Sequence, residues 1–185
     1  MKKGFTLVEI LVAVAIFVAV VSVASSLFVQ AIRGQRRSLA YQELLDQTSY
    51  VMEYMSRSIR MARRDDECAT PGFNYATSVI VAIPGAECLH FKNYKDECQY
   101  FCLDGVSKKL MIATSTPPMA PVAADFTDLT SPDLTVSSFN INGQGWEKGS
   151  PDNSQPLVII SFKIEGREGV KIEIQTSISQ RNLDR

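Results

Sequence analysis

Glu9 is the residue that most demands an explanation. Between Phe5 and Val29 the sequence has sixteen Leu, Ile, Val or Phe residues, no Lys, Arg, Pro or Gly, and one acid, Glu9. A carboxylate near the middle of a bilayer costs about 2.5–3.5 kcal/mol on insertion scales. The surrounding apolar residues return about 0.3–0.6 kcal/mol each, so insertion still wins. The acid needs a chemical partner, and the sequence supplies one if the chain is cut after Gly4. The cut creates an α-amine on Phe5, whose reference pKa of about 7.7–8.0 leaves it largely cationic at neutral pH. Phe5 and Glu9 are i and i+4 neighbours, so amine and carboxylate share one helix face. The counter-ion of Glu9 is then its own chain end or that of a neighbouring subunit.

The other residues with chemical potential lie further along the chain. Cys68, Cys88, Cys98 and Cys102 all follow the apolar stretch, which places them in an exported, oxidising compartment and makes disulfides the default expectation. Four cysteines allow three connectivities. If Leu89 and Phe91 face the core opposite Phe101 and Leu103, then Cys88 and Cys102 share the other face, leaving Cys68 for Cys98. A zinc site from Cys88, His90, Cys98 and Cys102 is the sharper alternative, but it lacks a Cys-x-x-Cys knuckle. His90 is the sole histidine and has no local nucleophile turn beside it, so a surface strand histidine is expected. Asp125, Asp128 and Asp133 offer hard oxygen ligands for calcium, though their spacing does not match an EF-hand loop. A solvated loop between Pro121 and Leu134 is the plainer expectation, with no metal and no cofactor.

These groups must be positioned by something, and the apolar stretch is the first element. As a helix, residues 5–29 reach roughly 37 Å, beyond the roughly 30 Å of hydrocarbon in a bilayer. Three readings compete for it. A secretory signal would be cut near Val23 to Ser26, and a plain signal anchor would be held by Lys2 and Lys3. The third is a segment cut after Gly4.

The run Gly4-Phe5-Thr6-Leu7-Val8-Glu9-Ile10-Leu11-Val12-Ala13, behind a cationic four-residue leader, resembles the cleavage and methylation motif of type IV prepilins and of the pseudopilins of type II secretion. The resemblance implies that a prepilin peptidase cuts after Gly4 and methylates the new amino terminus at Phe5, and that Glu9 is needed for assembly. It also implies an inner-membrane assembly platform with its ATPase.

Beyond Val29 no helix stop appears before residue 64, with Gly34 as a candidate flexible point. Leu44, Leu45, Thr48, Val51, Met52, Met55, Ile59 and Ala62 recur at spacings of three and four, the pattern of one buried helix face. Residues 33–64 carry seven Arg and three acids, whereas residues 65–185 carry ten basic and sixteen acidic side chains. Arg33 to Arg37 read as juxtamembrane anchors, and the acidic remainder argues against nucleic acid as a partner.

The period switches to two after Cys68. Strands are expected at Ser78–Ile83, Cys88–Tyr94, Gln99–Leu103, Lys108–Ala113, Leu134–Ile141, Leu157–Glu165 and Val170–Ile178, the last two forming a hairpin over Gly166 to Gly169. Four to six of these form an antiparallel sheet whose apolar face meets the helix stripe. Residues 142–156, with Trp146, read as a long surface loop. The fold class is α+β: leader 1–4, membrane helix 5–29, amphipathic continuation 30–64 and a β-rich head 65–185. Gln155 to Ile159, Gln175 to Asn182 and the helix segment Leu44 to Arg64 resemble J-type minor pseudopilins. The implied role is a non-enzymatic structural subunit of a pilus or pseudopilus, minor or, alternatively, a shaft-forming major pilin, with other pilins or pseudopilins as partners. A minor pilin whose head captures DNA or a surface is the further alternative. The chain is expected first in the bacterial cytoplasmic membrane with its head outside, then in a filament.

Overall fold

The computed structural model describes residues 4–63, 68, 75–79, 82–83, 85–117, 119–144 and 155–181. Lys2, Lys3, Arg64, Pro84, Trp146 and Asn182 lie outside the described residues.

One helix, α1, runs from Leu7 to Arg60, 54 residues or roughly 80 Å. It passes through Gly34 without interruption, so the expected flexible point is helical here. Thr6 caps its start, with extended backbone and a side chain that accepts from the Glu9 amide at 3.3 Å. The helix has two distinct halves. The apolar residues from Phe5 to Val29 stand exposed, whereas Ala40, Leu44, Thr48, Val51, Met55 and Ile59 are buried. Their spacings of four and three keep one stripe aligned along the helix. Thr48 fits the stripe because its hydroxyl donates to the Leu44 carbonyl at 2.6 Å, so no polar atom is left unpaired there. Leu45, expected in the stripe, sits roughly 100° around the axis from Leu44 and is 37% exposed.

Among the described residues the head contains two antiparallel sheets where one was expected. The first joins β1 (Ala76–Val79), β2 (Glu87–Lys92), β3 (Cys98–Leu103), β4 (Leu110–Ser115) and β5 (Thr127–Asp128) in sequence order. The second joins β6 (Thr135–Gln144), β7 (Leu157–Glu165) and β8 (Lys171–Ser179). The start of the predicted loop, residues 142–144, is therefore strand. The Pro121–Leu134 segment is more ordered than a solvated loop: it holds a 3-10 turn at Ala123–Asp125, strand β5, and buried Phe126, Thr130 and Leu134.

The main core lies between the helix stripe and the inward faces of both sheets. Leu44, Val51, Met55 and Ile59 join Leu89, Phe91 and Phe101 from the first sheet and Val158, Ile160, Phe162 and Ile164 from the second. Each such large apolar side chain contributes about 1.5–3 kcal/mol on burial. A second cluster covers the opposite face of the first sheet: Ile83, Ala86, Cys88, Cys98, Tyr100, Cys102, Ala113 and Phe126. That sheet is thus buried on both sides, which is why β2 and β3 lack an exposed alternate face.

The β7–β8 hairpin turns through Gly166–Gly169, where Gly169 holds φ +67°. A Cβ on Gly166 would come within 3.5 Å of Leu44 Cδ1, so this turn lies against the helix.

The end of α1 is closed by residues distant in sequence. Tyr75 Oη donates to the Ile59 carbonyl at 2.8 Å, the Arg181 amide to the Arg60 carbonyl at 2.9 Å, and Gln180 Nε2 to the Ala62 carbonyl at 2.8 Å. The last carbonyls of a helix have no intrahelical partner. Here the segment that follows the helix and the end of β8 supply those partners.

Candidate assembly site at the amino terminus

Gly4 and Phe5 precede the first helical turn, outside regular structure and exposed. No atom lies within 4 Å of where a Gly4 Cβ would stand. The peptide bond between them is accordingly open to another molecule. Thr6 and Glu9 occupy the cap and third positions of the helix, the Thr-x-x-Glu pattern of a capping box. Glu9 therefore sits in the first turn, where the helix dipole favours negative charge. The pattern was visible in the sequence, and it assigns Thr6 a positioning role that the charge argument alone passed over.

Phe5, Glu9, Ile10, Ala13, Val14 and Phe17 line a shallow groove of about 510 Å³ along one face of the helix. Glu9 is its charged group. Phe5 and Leu7 are each 79% exposed, as befits a surface awaiting contacts that one chain does not provide. The helix is long and apolar enough to cross a membrane.

Residues 1–25 match the family described as the prokaryotic N-terminal methylation motif. Over 62 residues the chain is 42% identical to the pilin-like protein PilA3 of Thermus thermophilus. At its amino terminus the chain thus carries the prepilin-type methylation motif and is similar to a pilin-like protein. The PilA3 alignment covers 34% of this chain and 27% of its relative, so the chain spans little more than a quarter of that protein's length. No solved structure matches it. The pilin family is structural rather than enzymatic, and its members assemble with other pilins. The apolar helix and the motif are consistent with membrane anchoring before assembly.

In the head the cysteines form two disulfides. Cys88 and Cys102 are directly opposed across β2 and β3, with Cα atoms 4.2 Å apart, and Cys68 joins Cys98 over 5.3 Å. All four sulfurs are consumed, so none remains as a thiolate for the zinc arrangement. His90 is buried, contrary to the expected surface position. Its ring lies between Ser78 Oγ at 2.9 Å and the Cys68 carbonyl at 3.0 Å, stacked on Tyr100. The second cluster around the disulfides covers the face on which His90 stands, and this accounts for its burial.

Asp125, Asp128 and Asp133 are engaged separately. Asp125 accepts from the Val122 amide at 2.8 Å, Asp128 lies on β5 opposite Met111, and Asp133 pairs with Arg167. Among the described residues no three His, Cys, Asp or Glu side chains gather as a metal site.

Among the described residues three head groups titrate away from their ordinary values, and the hydrogen bond to Asp133 raises that of the Arg167 guanidinium. Burial pushes the Tyr75 phenol up. A hydrogen bond from Ser107, with backbone amides behind it, holds the Asp104 carboxyl down.

Proposed function

We propose that the chain is a filament subunit, a minor pilin or minor pseudopilin, processed between Gly4 and Phe5, methylated on the Phe5 amine and assembled through its amino-terminal helix. The observation that carries this reading is the division of α1. Its second half is committed to the chain's own core, and its first half offers an exposed apolar surface headed by Phe5 and Glu9.

In the membrane, lipid covers that surface. In a filament, neighbouring helices replace the lipid, and the Glu9 carboxylate meets the cationic amine of a neighbouring chain. In apolar surroundings such a charge-assisted pair is strong and directional, and it sets the register between subunits. Prepilin peptidase supplies the amine, and an inner-membrane platform with its ATPase supplies the work of extraction. The disulfide-bonded head lies outside the cytoplasm. Placement among minor subunits rests on the resemblance of Gln155 to Ile159, Gln175 to Asn182 and Leu44 to Arg64 to J-type minor pseudopilins.

Mass spectrometry of the mature chain tests the first step: the expected product begins at Phe5 and carries one added methyl group. An intact Met1, or a start near Ser25, sinks the reading. Glu9→Leu should be processed normally yet fail to enter filaments, and the abundance of the chain in isolated filaments separates a minor from a shaft-forming subunit.

A further inference from the structure

The groove around Phe5 and Glu9 belongs to assembly, but a second groove lies where the apolar half of α1 ends. Gly34, Arg37, Ser38 and Tyr41 stand at i, i+3, i+4 and i+7 and so share one helix face. Across from them lie Gly169, Val170 and Lys171 at the β7–β8 turn, and the space between is about 560 Å³. The space beside both glycines is open, since a Cβ on Gly34 or Gly169 would meet no atom within 4 Å.

The helix wall of this groove carries uncompensated positive charge. Arg33, Arg36 and Arg37 lie in a stretch with no Asp or Glu between Glu9 and Glu43. Among the described residues Arg37 makes no hydrogen bond or ion pair. Facing it, Lys171 pairs with Glu165 at 2.9 Å and keeps 55% of its side chain exposed, so its ammonium retains donors for an incoming anion. Arg167 is occupied by Asp133. Ser38 and Tyr41 add hydroxyl donors.

The position along the helix identifies the anion. Arg33 to Arg37 lie four to eight residues past Val29, roughly 6–12 Å along the axis. The polar layer on each side of the hydrocarbon is roughly 5–8 Å deep. Side chains on a helix lean toward its amino end, which here points back into the membrane.

We propose that this groove binds the phosphate of an anionic membrane phospholipid, of the phosphatidylglycerol class, while the chain is anchored before assembly. The phosphodiester sits between the Arg37 guanidinium and the Lys171 ammonium, with Ser38 and Tyr41 as neutral donors. The inference rests on the membrane-anchored reading above. It adds a lipid preference that a bare apolar anchor would not have.

The test uses the full chain reconstituted in vesicles of phosphatidylcholine alone or mixed with phosphatidylglycerol. Flotation reports anchoring, and native mass spectrometry after mild detergent release reports the lipid retained. Wild-type should float in both compositions and retain phosphatidylglycerol in preference to phosphatidylcholine. Arg37→Gln and Lys171→Gln should each weaken that retention about fivefold, and Arg37→Lys should restore most of it. Arg37 is exposed and unpaired among the described residues, so its substitution leaves the fold intact, and far-ultraviolet circular dichroism checks this for Lys171→Gln. Equal retention of the two lipids, or retention unchanged in both Gln variants, overturns the proposal while leaving the anchor standing. Displacement of the lipid by inorganic phosphate overturns it in favour of a free anion. Loss of chain–chain association without loss of lipid makes the groove a subunit contact and also overturns it. Failure of wild-type to float in either vesicle sinks the anchored reading and this inference together.

Discussion

Replacing Cys88 and Cys102 together by alanine removes a cross-link between residues 14 apart in sequence. Closing a loop of that length restricts the unfolded chain by about 3 kcal/mol in the chain-entropy account. The Cys68–Cys98 bridge, over a separation of 30, is worth about 3.6 kcal/mol on the same scale. The two loops interleave along the chain, so deleting both costs less than the sum. A fragment beginning at Gln35 suits the measurement, because the buried core begins at Ala40. For a domain of this size each kcal/mol moves the melting temperature by about 2–4 °C, so the double variant should melt about 6–12 °C lower. Thiol titration of the denatured variant reads the pairing independently. With Cys68 bonded to Cys98 no reactive thiol is released, whereas either rival connectivity strands both residues as free thiols. A melting temperature within about 2 °C of wild-type, or two thiols per chain, would refute the reasoning.

Three further outcomes are expected. Leu44→Ala should cost about 2–5 kcal/mol in chemical denaturation, whereas Leu45→Ala should stay within about 0.5 kcal/mol, and equal losses would mean the buried face is misassigned. Tyr75→Phe removes the donor to the Ile59 carbonyl and should cost about 1 kcal/mol, with the wild-type phenol titrating above the ordinary value of about 10 in an absorbance measurement. Asp104 should titrate below about 3.9 by carboxyl carbon NMR; since its folded pKa is depressed, its contribution is present above the unfolded value and disappears as pH falls through the folded one, and a midpoint at or above 3.9 contradicts it.

Sequence patterning reveals some of these features more readily than others. Strand β7 is an uninterrupted apolar alternation, and Leu157–Glu165 could be read off directly because its inward residues all meet one core. Residues Phe5 to Val29 were equally readable, since membrane-grade hydrophobicity is a property of composition alone. The division into two sheets was hidden because β5 is two residues long, too short for any period, and owes its existence to pairing with Met111 and Ile112. Alternation alone predicts one wet face, and the sequence puts His90 on it. The disulfide cluster dries that face, and such a covering is a tertiary fact. Leu45 illustrates the same limit: adjacent leucines cannot both point inward on a helix, and only the position of the sheet selects Leu44. At the amino terminus the relation of Phe5 to Glu9 was plain from spacing, while the cap role of Thr6 was legible in Thr-x-x-Glu.

The closure of the helix end by Tyr75, Gln180 and Arg181 bears on how the molecule carries load. A pull along the stem is not delivered only to the peptide link that leaves Arg60. It is shared sideways with the final strand through bonds to Arg60 and Ala62, and the Cys68–Cys98 bridge fastens the connecting segment to the first sheet. These attachments stretch in parallel instead of opening one after another. A pull on the first half of α1 would therefore reach both sheets of the head at once.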